Sequence, residues 1–106
     1  MAVQLKNNAT TTIPNGVSST DTSLTVAAGT GVKFPILGTG DTFYLTLADV
    51  NGNFELVQVT ARTDDVMTIV RGQSGTLAIP FPPHSRAELR VTVENIVTAV
   101  GDYLLL

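Results

Sequence analysis

Apolar and polar residues alternate with a period of two along most of the chain. The alternation is clearest in residues 43–47, 55–62 and 85–93, and two shorter runs, 23–27 and 66–70, share it. This pattern, rich in Val, Ile, Thr and aromatic residues, is typical of β-strands that are buried on one face. It predicts a core containing Leu24, Val26, Phe43, Leu45, Leu47, Val57, Val59, Leu89 and Val91.

Short turn signals separate these runs. They are Pro-Asn-Gly at 14–16, Gly-Thr-Gly at 38–40, Asn-Gly-Asn at 51–53 and Asp-Asp at 64–65. A Thr-rich run at residues 9–13 is predicted to be an edge strand. About six short strands at this spacing predict an all-β fold, a small antiparallel β-barrel or sandwich.

The period changes near the C-terminus. Apolar residues then recur every three to four positions, which predicts a short C-terminal helix with a Tyr-Leu-Leu-Leu tail. We predict one domain over residues 1–106, made of an N-terminal arm (1–8), the β-barrel or sandwich (9–93) and the helix with its apolar tail (94–106). The helical stripe is predicted to contact another copy or another protein, the alternative being that it covers an open end of its own barrel. Its residues are Val93, Ile96, Val97, Val100 and Leu104.

The charge content favours a protein partner over nucleic acid or membrane. Only 14% of the residues are charged, the net charge is −3 and the mean hydropathy is +0.27. Small soluble domains usually carry more surface charge, so we expect a partner to cover part of this surface. The six Lys and Arg residues are scattered, whereas a nucleic-acid surface needs clustered positive charge. No apolar run has the length of a membrane span, and no signal peptide is visible.

Residues 71–76, Arg-Gly-Gln-Ser-Gly-Thr, invite a catalytic or phosphate-binding interpretation. The segment approaches the G-x-S-x-G nucleophile motif, but Thr76 stands at the last glycine position and prolines follow. A phosphate-binding loop requires a lysine that is absent here. His84 is the only histidine, and it follows two prolines. We therefore predict a turn in which Gly72 has positive φ, and no catalytic or cofactor-binding residues.

Asp49, Asn51, Asn53 and Glu55 have the spacing of a calcium-binding loop. The sixth loop position should be glycine and is Phe54, and the twelfth should be glutamate and is Thr60. Asn-Gly between alternating strands is instead the signal of a two-residue hairpin turn. We predict the hairpin and no metal site.

Four features recur in a known order along the chain: V-T-A-R at residues 59–62, V-R-G-Q-S-G-T at 70–76, His84 and E-L-R-V-T at 88–92. Together they resemble a domain found in small structural and fibre-attachment proteins of tailed bacteriophages, such as collar or tail adaptors. Ser85-Arg86 stand where such domains often have Gly-Asp. The resemblance covers roughly residues 9–92.

The resemblance implies a non-enzymatic virion protein that assembles in several copies with other virion proteins. It implies no cofactor, and localisation in the virion after assembly in the host cytoplasm. Two alternatives use the same kind of scaffold: a receptor- or carbohydrate-binding module, and a capsid decoration protein. A sugar-binding surface usually needs exposed aromatic residues, and this chain has no Trp and two Tyr.

Overall fold

The computed structural model describes residues 4, 6 and 9–90. Six antiparallel strands form one curled, half-barrel sheet in the order β1-β6-β3-β4-β5-β2. The all-β prediction is confirmed. The predicted C-terminal helix lies outside the described residues. The strands are β1 (Thr10–Ile13), β2 (Ser23–Thr25), β3 (Phe43–Ala48), β4 (Phe54–Thr63), β5 (Val66–Gln73) and β6 (Ser85–Glu88), and a 3-10 helix spans Thr30–Lys33.

The two edge strands, β1 and β2, are brought together by the segment that follows β2. The amide of Ala27 donates to the carbonyl of Thr12 at 3.0 Å. The hydroxyls of Thr11 and Thr30 are 2.7 Å apart. These contacts partly close the curled sheet, so its concave face becomes the core.

Most of the predicted core is confirmed. Leu24, Val26, Phe43, Leu45, Leu47, Val57 and Val59 are buried, and Leu89 packs half-buried against them, whereas Val91 lies outside the described residues. The core also contains apolar residues that the alternation does not single out, namely Ala9, Ile13, Val17, Phe34, Met67, Ile69, Phe81 and Ala87. The rings of Phe34 and Phe43 stack with their centroids 5.8 Å apart.

Two strand predictions require correction. The alternation places Ala61 on the same face as Val57 and Val59, but Ala61 is exposed. The register of β4 against β5 shifts between Val59 and Ala61, and such a bulge reverses which residues face inward. The strand predicted for residues 85–93 ends at Glu88 within the described residues, although Leu89 still donates to the carbonyl of Ala9.

The register defines two ends of the half-barrel. One end of the half-barrel contains the ends of β1, β3 and β5 and the starts of β4 and β6, as shown by the pairs Ile13–Ser85, Ala48–Phe54 and Leu56–Gln73. We call it the loop end. The β4–β5 turn and the 3-10 helix lie at the opposite, far end. Strand β6 runs antiparallel to β3 and therefore leads from the loop end towards the far end. Within the part of the chain that the structure describes, no helix has the length and apolar character needed to cross a membrane.

Candidate functional site

Residues 71–76 form a turn, as predicted. The amide of Thr76 donates to the carbonyl of Gln73 at 3.0 Å, which closes a β-turn at the end of β5. Both central residues have positive φ, 53° at Ser74 and 76° at Gly75, the pattern of a type I′ turn. Gly72 has a φ of 61°, as predicted. The hydroxyl of Thr76 also accepts the amide of Leu56, which ties the turn to β4.

Arg71 has a role that the sequence analysis missed. Its guanidinium makes a bidentate ion pair with the Glu55 carboxylate, at 2.8 Å for both Nε–Oε2 and Nη2–Oε1. Nη1 donates to the carbonyls of Ser18 and Asp21, and Nη2 also donates to the carbonyl of Ile79. A guanidinium has five N–H donors, so this side chain is fully used. It joins β4, β5, the segment before β2 and the loop after β5.

Glu55 is the acceptor at the centre of this network. Its side chain is fully buried, and besides Arg71 it accepts the amides of Gly72 at 2.9 Å and Ile79 at 3.0 Å. Burial alone raises the pKa of this carboxyl. The hydrogen bonds from Arg71, Gly72 and Ile79 outweigh burial and hold the pKa below its ordinary value. The Glu55 carboxyl is therefore ionised at neutral pH.

A signal for this pair was present in the sequence. Glu55 shares its odd-numbered position with Val57 and Val59, so the alternation places a carboxylate on the core face of β4. A buried carboxylate needs a cationic partner. Arg71 has the required fixed fork of donors for such a carboxylate. We use the name Glu55–Arg71 network for Glu55, Arg71 and the loop at residues 77–79 that these two side chains hold in place.

At the far end, the side chains of Asp65 and Arg62 each bind backbone groups of the neighbouring segment. The Asp65 carboxylate accepts the amides of Gly29 at 2.9 Å and Gly31 at 2.8 Å, at the start of the 3-10 helix. Arg62 donates from Nε to the carbonyl of Pro35 at 3.1 Å. Asp64 has a φ of 52° in the two-residue turn. Asp64 and Asp65 are thus turn residues, as predicted, and Asp65 also anchors the neighbouring segment.

The calcium-like spacing at residues 49–55 belongs to a hairpin, but not a two-residue one. The amide of Asp49 donates to the carbonyl of Asn53, and Gly52 has a φ of 87°, so three residues form the loop. The Asp49 carboxylate accepts the amides of Asn51 and Asn53 and the Asn53 side-chain amide. Glu55 is withdrawn into its pair with Arg71. In the described part of the chain, no three His, Cys, Asp or Glu side chains are grouped to hold a metal ion.

His84 lies on the surface of the loop end. Its φ is 67°, and its amide donates to the carbonyl of Ile13 at 2.8 Å. With Asp49, Val50 and Pro83 it lines a shallow cleft of about 120 Å³. The backbone of His84 therefore serves the turn that connects Phe81 to β6.

An apolar depression lies beside the Glu55–Arg71 network. Its volume is about 280 Å³, and its lining residues are Gly52, Asn53, Phe54, Leu77 and Ile79. Phe54 is 60% exposed and Leu77 is 77% exposed. We call this feature the loop-end depression. The predicted interface residues Val93, Ile96, Val97, Val100 and Leu104 lie outside the described residues.

No protein-family model matches this chain, and no curated protein sequence matches it. The resemblance to phage structural domains therefore rests on the sequence motif alone.

The carboxylates predict how stability depends on pH. Hydrogen bonds from Ser18, Asn53 and Gly29, respectively, lower the pKa values of Asp21, Asp49 and Asp65, as the network lowers that of Glu55. The unfolded chain binds protons more readily than the folded one, so these groups stabilise fully above their ordinary pKa values of about 4. That stabilisation is lost as the pH falls through the lower folded values.

We therefore expect the free energy of unfolding to change little from pH 7 to 5 and to fall below about pH 4.5. Urea unfolding at a series of pH values measures this. Asp65→Asn serves as a matched control, because it removes one of the contributing carboxylates and should make the fall shallower. Stability that stays constant down to pH 3 would contradict the assignment.

Proposed function

We propose that this protein is a non-enzymatic structural component of a tailed-bacteriophage particle, of the collar, tail or fibre-attachment class, and that it works in several copies. The observation that carries the proposal is the paired motif V-T-A-R at 59–62 and V-R-G-Q-S-G-T at 70–76. The virion, after assembly in the host cytoplasm, is the proposed location. Other virion proteins and further copies of this chain are the proposed partners.

The positions of the motif residues support this proposal. Arg62 and Arg71 both donate to backbone carbonyls of distant segments, and Gly72 supplies a positive φ. Thr76 ties its turn to β4. A motif whose side chains hold backbone segments together is a signature of a fold, which suits a domain used for assembly rather than for chemistry.

The exposed apolar surface supports a role in assembly. Phe54 and Leu77 are exposed to solvent at the loop end. Val32, in the 3-10 helix, and Ile36, after it, are also exposed. Phe54 and Leu77 line one depression, and a grouping of exposed apolar side chains of this kind marks interaction sites. A carbohydrate-binding module remains the less favoured alternative, because Tyr44 is half-buried and its hydroxyl accepts from Gln58 at 3.4 Å. A capsid decoration role differs only in the position that the protein takes in the particle.

Deleting residues 96–106 tests whether the C-terminal segment joins copies. We expect the full chain to have a native mass of several copies, and the deletion variant to be a folded monomer. We also expect the deletion variant to be missing from purified virions of a phage that encodes it, where mass spectrometry should detect the full chain. If the deletion variant unfolds, the segment belongs to the core and this interface is wrong.

Two substitutions provide a matched pair that keeps the chain length. If residues 93–104 form the predicted helix, its geometry would place Val97 on the apolar stripe and Thr98 off it. Val97→Asp should therefore dissociate the copies, whereas Thr98→Asp should leave the native mass unchanged. Equal effects of the two substitutions would contradict a helical interface.

A further inference from the structure

The loop-end depression has the character of a binding surface. Exposed single apolar residues are common on proteins, but here Phe54, Leu77 and Ile79 line one continuous depression. Val50, at 99% exposure, stands in the same β3–β4 turn that supplies Gly52. Phe54, Leu77 and Ile79 are thus grouped in one depression, whereas Val50 lines the other cleft, beside His84.

Hydrogen bonds hold the depression in shape. Ile79 donates its amide to Glu55 at 3.0 Å, and its carbonyl accepts from Arg71 at 2.7 Å. On the opposite side, Asp49 fixes the β3–β4 turn through the amides of Asn51 and Asn53. A surface that is already ordered loses little conformational freedom on binding, which favours affinity.

The depression carries no ionisable side chain among its lining residues. Of the charged side chains around the loop end, Glu55 and Arg71 pair with each other, and the Asp49 carboxylate accepts hydrogen bonds from Asn51 and Asn53. The centres of protein interfaces are similarly depleted of charge and rich in aromatic and aliphatic groups. The matching occupant is therefore an apolar segment of polypeptide.

The chain itself contains such a segment. Residues 93–104 carry the apolar stripe, and Leu105 and Leu106 follow it. Strand β6 leads from the loop end to the far end, and only Val91 and Thr92 separate Arg90 from Val93. Arg90, the last described residue, therefore lies at the end opposite to the depression of its own copy, and the chain direction there points away from that depression.

We propose that the loop-end depression, lined by Phe54, Leu77 and Ile79, receives residues 93–104 of a neighbouring copy, so that copies join head to tail. This inference rests on the proposed multi-copy function and names the surface that the C-terminal segment contacts. Such a contact uses two different surfaces, so its repetition closes a ring when the rotation between copies permits.

Cysteine cross-linking in the full chain tests the contact, because the natural sequence contains no cysteine. The Leu77→Cys variant is mixed in turn with the Ile96→Cys, Val97→Cys and Val100→Cys variants, and glutathione disulfide is added to each mixture to form disulfides. A disulfide requires close Cα atoms, so only neighbouring positions become linked. Intact mass separates the mixed dimer from the two homodimers. Ile36→Cys is the matched control, since Ile36 is equally apolar, 84% exposed and associated with the far end.

We expect at least one mixture with Leu77→Cys to give several-fold more mixed dimer than the same partner with Ile36→Cys. A double variant that forms its disulfide within one chain, at Leu77 or at Ile36, overturns the proposal, because the segment then covers its own barrel. If native mass shows several copies but no variant forms a cross-link with Leu77→Cys, the proposed contact is wrong, while the multi-copy function stands. A wild-type protein that is monomeric at all concentrations overturns both.

Discussion

Replacing Arg71 with alanine is expected to lower the free energy of unfolding by about 3–5 kcal/mol, because it leaves a buried carboxylate without its cation. The Glu55 side chain is fully buried, and Arg71 is the only cation among its hydrogen-bond partners in the described structure. The carbonyls of Ser18, Asp21 and Ile79 lose their donor as well. Small domains are stable by about 5–15 kcal/mol in total, so the variant should lose a large part of its stability. Urea unfolding followed by circular dichroism measures the loss.

Arg86→Ala is the matched control for this prediction. Arg86 lies 3.6 Å from Glu88, but its side chain is 57% exposed. Surface pairs of this kind contribute about 0–1 kcal/mol, so this variant should unfold almost as the natural protein does. A loss from Arg71→Ala as small as that from Arg86→Ala would show that the buried pair does not hold the loop end.

Combining Glu55→Gln with Arg71→Ala separates the charge from the packing. The double variant no longer buries an unpaired charge, and the glutamine oxygen can still accept an amide of Gly72 or Ile79. We therefore expect it to lose less stability than the sum of the two single losses, as coupled residues do. Additive losses would mean that the two side chains act independently.

Gly16→Ala is expected to lower the free energy of unfolding by more than about 1–2 kcal/mol, which is the cost of a left-handed conformation alone for a residue with a Cβ atom. Gly16 has a φ of 65°, and a Cβ atom there would overlap the carbonyl oxygen of Phe81 and lie 2.9 Å from the carbonyl carbon of Pro82. Both are backbone atoms. Phe81 is held in place by two hydrogen bonds with Val17, so it cannot withdraw without breaking them.

Gly29→Ala isolates the conformational part of this cost. Gly29 has a φ of 78°, and a Cβ atom there meets nothing within 4 Å. Its expected loss is therefore about 1–2 kcal/mol, from the backbone conformation alone. Urea unfolding of both variants gives the difference, which measures the overlap at Gly16. Equal losses would show that the Val17–Phe81 contact yields easily.

The period-two alternation was enough to locate the strands, because each strand presents one face to the core. It predicted neither Phe34 nor Phe81, since both lie outside the regular strands and are buried by tertiary packing that a local pattern does not report. Ala61 was placed on the wrong face because a bulge inserts one residue and reverses the alternation. Local periodicity thus fails where the backbone is irregular.

The candidate site was only half predictable. The positive φ at Gly72 follows from the turn that its sequence favours, and it was predicted. The partnership of Glu55 with Arg71 joins residues on two strands, and it was not predicted because the spacing around Glu55 indicates only a possible calcium-binding loop. The loop-end depression brings together Phe54, at the start of β4, and Leu77, in the loop after β5, and no spacing along the chain reveals this.

The strand order has a consequence for aggregation. The two edge strands are short: β2 has three residues, the fewest in the sheet, and β1 has four, whereas β4 with ten and β5 with eight lie inside it. Long, flat edges act as templates on which other chains add strands and grow into amyloid-like stacks. This sheet offers very little unpaired backbone at either edge, so the folded domain is protected from such growth even at high local concentration.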